Sequence, residues 1–181
     1  VTSPNPEDAL DELEWRAFTY FLHEVDPHTG LVRDNTRARA PASIAGSGFA
    51  LACYAVGAER GYLTREDAAE RVHRALRFLW EAPQGDGPEE TGSRGLFYHF
   101  LALETGRRVW ASELSTVDTA IAIAGALTAA QYFTRDTPVE RDIRQFATGL
   151  YERVNWRWTC NGGRTVSHGW RPETGFLPCR W

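Results

Sequence analysis

The segment SELSTVD, Ser112–Asp118, places two carboxylates, Glu113 and Asp118, and two hydroxyls, Ser112 and Ser115, directly before the uncharged run TAIAIAGAL. Trp110 stands in front of them. Ser115 followed three residues later by Asp118 has the spacing of a capping box, in which each residue satisfies a free donor of the first helical turn. That spacing accounts for two of the four residues with no chemistry at all. Glu113 precedes the cap and is not explained by it. The positive end of a helix favours the ionised form of a nearby carboxylate. Glu113 is therefore a candidate catalytic group suited to act as a base or a binding group rather than as an acid, and Asp118, part cap and part site, is the second candidate.

A second set of residues falls in the segments between apolar runs. Asp34, Tyr98, His99, Trp110, Trp170 and Glu173 are the candidate substrate-binding residues, accompanied by Arg33, Asn35, His168, Arg171 and Trp181. Flat rings interleaved with carboxylates and guanidinium groups suit a sugar, whose C–H face stacks on an aromatic ring while its hydroxyls need paired hydrogen-bond partners. The same rings would equally serve as packing in a helical protein. Other chemistries find no support. The five histidines include no i,i+4 pair of the zinc-binding kind, and no Gly-x-Ser-x-Gly elbow occurs. All twenty basic residues are Arg, which removes a lysine Schiff base and a P-loop lysine. Cys53, Cys160 and Cys179 have no metal-ligand spacing; Cys160 and Cys179 flank one loop and could pair in an oxidising compartment.

Five helical segments must position these residues. About Glu7–Val25, Arg65–Trp80 and Pro138–Val154 are amphipathic, with Thr64 and Thr137 as N-caps and Pro138 at a first helical position. The segments SIAGSGFALACYAVGA and STVDTAIAIAGALTAAQYF carry almost no charge around their circumference, so they are expected to be surrounded by protein. Connections alternate between the short turns ERGYLT and TRDT and three long segments, 26–42, 82–114 and 156–181. Each long segment contains a Thr-Gly pair, in DPHTGL, LETGRR and PETGFL. The second reads as a hairpin, LFYHFLAL going out and RRVWA returning. Antiparallel helices with short turns at one end bring all long loops to the other, the usual place for function. Outer amphipathic helix, inner apolar helix, short turn and long rim loop make an all-α fold, a partial α/α toroid with short hairpins on one rim. The chain ends within a rim loop, so residues 1–181 are expected to be the N-terminal portion of one larger domain; a self-contained helical bundle is the alternative.

Composition limits the partners. A net charge of −4 with dispersed arginines argues against nucleic acid, and no apolar run is long enough to span a membrane. The opening VTSPNPEDALDE has neither a basic nor an apolar leader region, and compartment stays open. A half-toroid would expose apolar surface along its open side and self-associate through it.

The pieces PASIAGSGFALACYAVGAERGYLTREDA, GLFYHFL, TGRRVW, SELSTVDTA, LYERVNW and GWRPETGF occur in one order across most of the chain. In these the sequence resembles the glucoamylase-like family of bacterial (α/α)6-toroid proteins, which includes endo-β-1,2-glucanases and the corresponding domain of cyclic β-1,2-glucan synthases. The resemblance implies hydrolysis of a β-glucan by two carboxyl groups, with no metal or organic cofactor. It carries Glu113 and Asp118 over as site groups. The family pattern continues into another acidic segment beyond Trp181, so one member of the catalytic pair would lie there. A noncatalytic glycan-binding protein, or an inactive fragment with the same rim, is the alternative. An unrelated toroid enzyme is disfavoured, since neither an Asp-rich metal motif nor a Cys/His zinc set is present.

Overall fold

A computed structural model describes residues 6–181. The first five residues, part of the stretch read for a leader, lie outside them. The long helices are α1 (Pro6–His23), α2 (Ile44–Glu59), α3 (Arg65–Glu81), α4 (Thr116–Tyr132) and α5 (Pro138–Arg153), with a single turn α6 (Trp156–Thr159). Their starts are those the sequence marks. Thr64 and Thr137 accept from the third helical N–H of α3 and α5, and Ser43 and Ser115 do the same for α2 and α4.

The fold is not purely helical. The long loops pair into two small antiparallel sheets. One joins β1 (Ala42–Ser43) to β4 (Phe100–Leu101). The other runs β2 (Gly92–Ser93), β3 (Leu96–Tyr98), β5 (Leu114–Ser115), β6 (Gly169–Arg171) and β7 (Gly175–Phe176), in that order. The all-α expectation is corrected here: it allows short hairpins on the rim but not strands that join one long loop to another. Their backbone groups are buried beside the helix ends and must find partners, and each other's strands supply them. The sheets tie all three long loops to the end where α2 and α4 begin, as the alternating connections require. The Thr-Gly pairs make the turns: Gly30, Gly106 and Gly175 all have left-handed φ, between 69° and 80°.

Helices α2 and α4 lie against each other at backbone distance. A Cβ on Gly125 would stand 2.0 Å from the Gly48 carbonyl oxygen, and one on Gly48 would stand 2.5 Å from Ala122 Cα. Helices α3 and α5 form a second layer behind them, burying Val72, Leu76, Leu79, Ile143 and Leu150. The apolar spacing in α1 is used only in part. Phe18 is buried against Gly57, but Leu10 and Leu13 are exposed, and Val25 lies beyond the helix in a bridge to Val32. Each of the uncharged helices α2 and α4 also has one bare stripe, with Phe49 and Val56 on α2 and Val117 on α4 exposed. Cys53, Cys160 and Cys179 are free thiols. Among the described residues no helix is long and apolar enough to cross a membrane.

Candidate active site

The strand β5 passes between β3 and β6 and runs straight into α4. Alternation along it sends Leu114 into the core, where it is 1% exposed, and leaves Glu113 and Ser115 on the other face. Across the sheet His99 follows β3, and its main-chain N–H donates to the Glu113 carbonyl at 2.9 Å. This pairing brings the side chains together. His99 Nδ1 lies 3.2 Å from Glu113 Oε1, and His99 Nε2 lies 3.8 Å from Asp118 Oδ2. One imidazole thus stands between both carboxylates of SELSTVD. Arg171, on β6, reaches Glu113 Oε2 at 3.5 Å. Gly169 makes room for Glu113, since a Cβ there would stand 2.7 Å from Glu113 Cγ.

The electrostatics follow from this contact. The hydrogen bond from His99 is the main reason the Glu113 carboxyl is held down to about 2, with main-chain hydrogen bonding and the nearby Arg171 charge adding to it against the effect of burial. His99 is pushed up from the ordinary histidine range, first by that same bond and then by the charges of Asp118, Glu113 and Asp34. Glu113 is an ionised group at neutral pH, in keeping with a base or a binding group.

Asp118 does close the helix start, though not as a full capping box. Ser115 Oγ accepts from the Asp118 N–H at 3.2 Å, and the Ser115 hydroxyl donates to Asp118 Oδ2. The carboxylate takes the hydroxyl rather than the Ser115 main chain, because that main chain is paired in the sheet with Phe97 and Gly169.

The remaining predicted residues divide. Asp34 is exposed on the same rim, with the Asn35 amide donating to its Oδ2 at 3.0 Å. Trp110 is 72% exposed and meets Phe100 edge-on, with ring centres 5.4 Å apart, and Phe100 stacks on His99 at 3.8 Å. Tyr98, expected to line the groove, is instead fully buried beneath Arg108, whose guanidinium carbon lies 4.6 Å from the ring centre. Glu173 is spent on Arg108, accepting from it at 2.6 and 3.0 Å. Trp170 is half-buried and packs edge-on against Trp158. The strand period explains the Tyr98 and Trp170 placements: Tyr98 pairs with Leu114, and Leu114 with Trp170, so all three stand on the side of the sheet opposite Glu113. The sequence reading missed Arg108, which holds the hairpin tip, and the spacing role of Gly169. Their visible signals were the runs TGRRVW, which holds Arg108, and GWRPETG, which holds Gly169. Among the described residues no cluster of His, Cys, Asp and Glu is arranged to hold a metal ion.

No protein-family profile matches the chain. An exo β-1,2-glucooligosaccharide sophorohydrolase of Parabacteroides distasonis is 30% identical over 158 residues, which is 84% of this chain and 21% of that protein. A glucoamylase-like protein of Bacteroides uniformis superposes with a TM-score of 0.87 at 28% identity, over 97% of this chain and 42% of that one. The endo-β-1,2-glucanase of Chitinophaga pinensis, solved with sophorotriose and glucose, gives a TM-score of 0.82 at 25% identity over 96% and 42%. A β-1,2-glucanase of Parabacteroides distasonis gives 0.84 at 27% over 97% and 25%. The chain thus spans about one fifth of its sequence relative and less than half of each of these structures. In sequence over 84% of its length, and in fold over almost all of it, the chain is similar to these β-1,2-glucan hydrolases and glucoamylase-like proteins, as its motifs suggest.

Proposed function

We propose that this protein is a glycoside hydrolase, or part of one, acting on a β-1,2-linked glucan through carboxylates of the SELSTVD segment. The observation that carries the reading is the convergence of Glu113 and Asp118 on one imidazole, on an open rim at the N-terminus of an apolar helix. Support for the linkage comes from the relatives, which include a β-1,2-glucooligosaccharide hydrolase and two β-1,2-glucanases. In this reading residues 1–181 form the N-terminal portion of a single (α/α)6 toroid, with α2 and α4 as inner helices and α3 and α5 as outer ones.

Hydrolysis breaks the bond between the anomeric carbon and the glycosidic oxygen; water adds to the carbon, and the leaving oxygen takes a proton. Glu113, held ionised, is the group suited to take the proton from water or to fix a sugar hydroxyl. Asp118 is the second carboxyl on this rim, and another acidic group from outside residues 1–181 is the alternative partner. Asp34 and Arg171 flank the pair and would bond hydroxyls of the substrate. Tyr98 and Glu173 support this surface through Arg108 rather than touching the glycan.

One observation favours the second reading, a rim that binds glycan without cleaving it. Both Glu113 oxygens already have partners, Oε1 in His99 and Oε2 in Arg171. Linear β-1,2-glucan, incubated with this chain and with a longer one, separates the two readings by the release of reducing ends. Glu113→Gln should lower an observed rate by about 10²–10⁴-fold if Glu113 acts in proton transfer. A near-normal rate in Glu113→Gln and in Asp118→Asn would reduce the segment to a capped helix start. Binding without release of reducing ends in the longer protein would establish the noncatalytic reading.

A further inference from the structure

A pocket of about 330 Å³ opens between the first long loop and the 96–111 hairpin, lined by Arg33, Arg39, Pro41, Glu104, Val109 and Trp110 among others. Its size is at the lower end for a small-molecule site, about 300–1,000 Å³. It is linked to the carboxylates through packed rings: Trp110 on Phe100, Phe100 on His99, and His99 on Glu113.

Three features set this pocket apart from an ordinary surface dent. The first is backbone strain. Among the described residues five non-glycine positions have left-handed φ, and two of them, Arg39 at 67° and Trp110 at 57°, form its wall. A third, Ala111 at 50°, is the next residue. L side chains avoid this region, and such residues concentrate where a binding geometry needs them. The second is the display of Trp110, whose indole is largely exposed although a neighbouring ring supports it. The third is the division of labour between two guanidinium groups. Arg33 is engaged, with Glu24 at 3.5 Å and the Ala40 carbonyl at 3.2 Å. Among the described residues Arg39 has no hydrogen bond or ion pair, and neither does the Glu104 carboxylate. A free donor fork and a free acceptor therefore flank a ring face.

We propose that this pocket is an extension subsite that takes a hexose unit of the glycan remote from the scissile bond. Trp110 stacks on the sugar face, Arg39 donates to its hydroxyls and Glu104 accepts from them. The inference rests on the glycan reading of the carboxylate site and adds to it a second place where the chain is held. It makes binding depend on oligosaccharide length.

Calorimetric titration of the full chain with glucooligosaccharides of increasing length, from the disaccharide upward, tests the subsite. The β-1,2, β-1,3 and β-1,4 series are run in parallel. Affinity for the β-1,2 series should rise with length, and Arg39→Ala and Trp110→Ala should each remove roughly tenfold of that rise. The disaccharide, held at the carboxylates, should bind the unmodified protein and Arg39→Ala alike. Trp110→Phe should restore most of the rise by keeping a ring, and unchanged near-ultraviolet circular dichroism would show that the variants are folded. A length increment that survives both alanine variants, or its absence in the unmodified chain when the disaccharide binds, would overturn the subsite and leave the carboxylate site standing. If only another linkage series binds, with an increment lost in the variants, the subsite stands and the β-1,2 reading falls. If no series binds, both fall.

Discussion

The contact between His99 and Glu113 makes the stability of this rim depend on pH from both sides. Glu113 ionises far more readily in the fold, near 2, than the ordinary glutamate at 4.5. Its stabilising contribution is therefore present above about 4.5 and is lost as pH falls toward 2. His99 has the opposite sign. Its folded value lies above the ordinary 6.5, so its contribution is present below 6.5 and is lost as pH rises through the folded value. The groups that set it are Glu113, Asp118 and Asp34, with Arg171 facing Glu113 from the neighbouring strand. Other carboxylates, among them Glu14, Glu140 and Glu173, are also held below their usual range and will contribute to the acid limb. The informative quantity is therefore the difference in melting temperature between the unmodified protein and Glu113→Gln. It should be largest between about pH 4.5 and 6.5 and shrink on both sides. A difference that is flat from pH 3 to pH 8 would mean that the imidazole and the carboxylate do not share a proton-linked bond in solution.

At the scale of elements, the decisive contact is between α2 and α4, because these two helices carry the strands that hold the site. Their approach depends on glycine facing glycine. Gly125→Ala would drive a methyl group into the Gly48 carbonyl, a backbone atom that cannot rotate aside. The substitution should cost about 3 kcal/mol or more, measured by denaturant unfolding. A loss below about 0.5 kcal/mol would mean that the helices are not packed at this distance. The small residues of both helices make this close packing legible in sequence, as do the caps Thr64, Thr137 and Ser115. The Thr-Gly turns and the gathering of three long loops at one end were legible as well. What could not be read was the strand phase within those loops. Strands of two or three residues give no periodic signal, and a shift of one position moves a side chain to the opposite face. That is why His99 meets Glu113 on one face of the sheet while Tyr98 and Trp170 stand on the other. The Arg108–Glu173 pair was hidden for a different reason. Its partners are 65 residues apart, and nothing local marks one carboxylate as already occupied.

For the molecule as a whole, the bare stripes on α2 and α4 matter most. Apart from Asp118 at the start of α4 and Glu59 at the end of α2, both helices carry no charge around their circumference, a composition suited to enclosure. Here Phe49 is 54% exposed and Val56 50%, and Val117 lies exposed on α4. A net charge of −4 on 181 residues offers only weak repulsion between copies. Apolar surface of this kind drives association, so the mass of the isolated chain in sedimentation should rise with concentration above the 20.3 kDa of one copy. A second exposed apolar pair, Leu10 and Leu13 on α1, competes as the contact. Two double variants separate the surfaces. Phe49→Ser with Val56→Ser should return the protein to a monomer if the helix faces carry the contact, whereas Leu10→Ser with Leu13→Ser should leave association unchanged. The reverse pattern would assign the contact to α1. A monomer at every concentration in the unmodified chain would refute association through either surface. Because Phe49 and Val56 are largely exposed in the single chain, their replacement should cost little folding stability, and a change in mass would report the contact rather than unfolding.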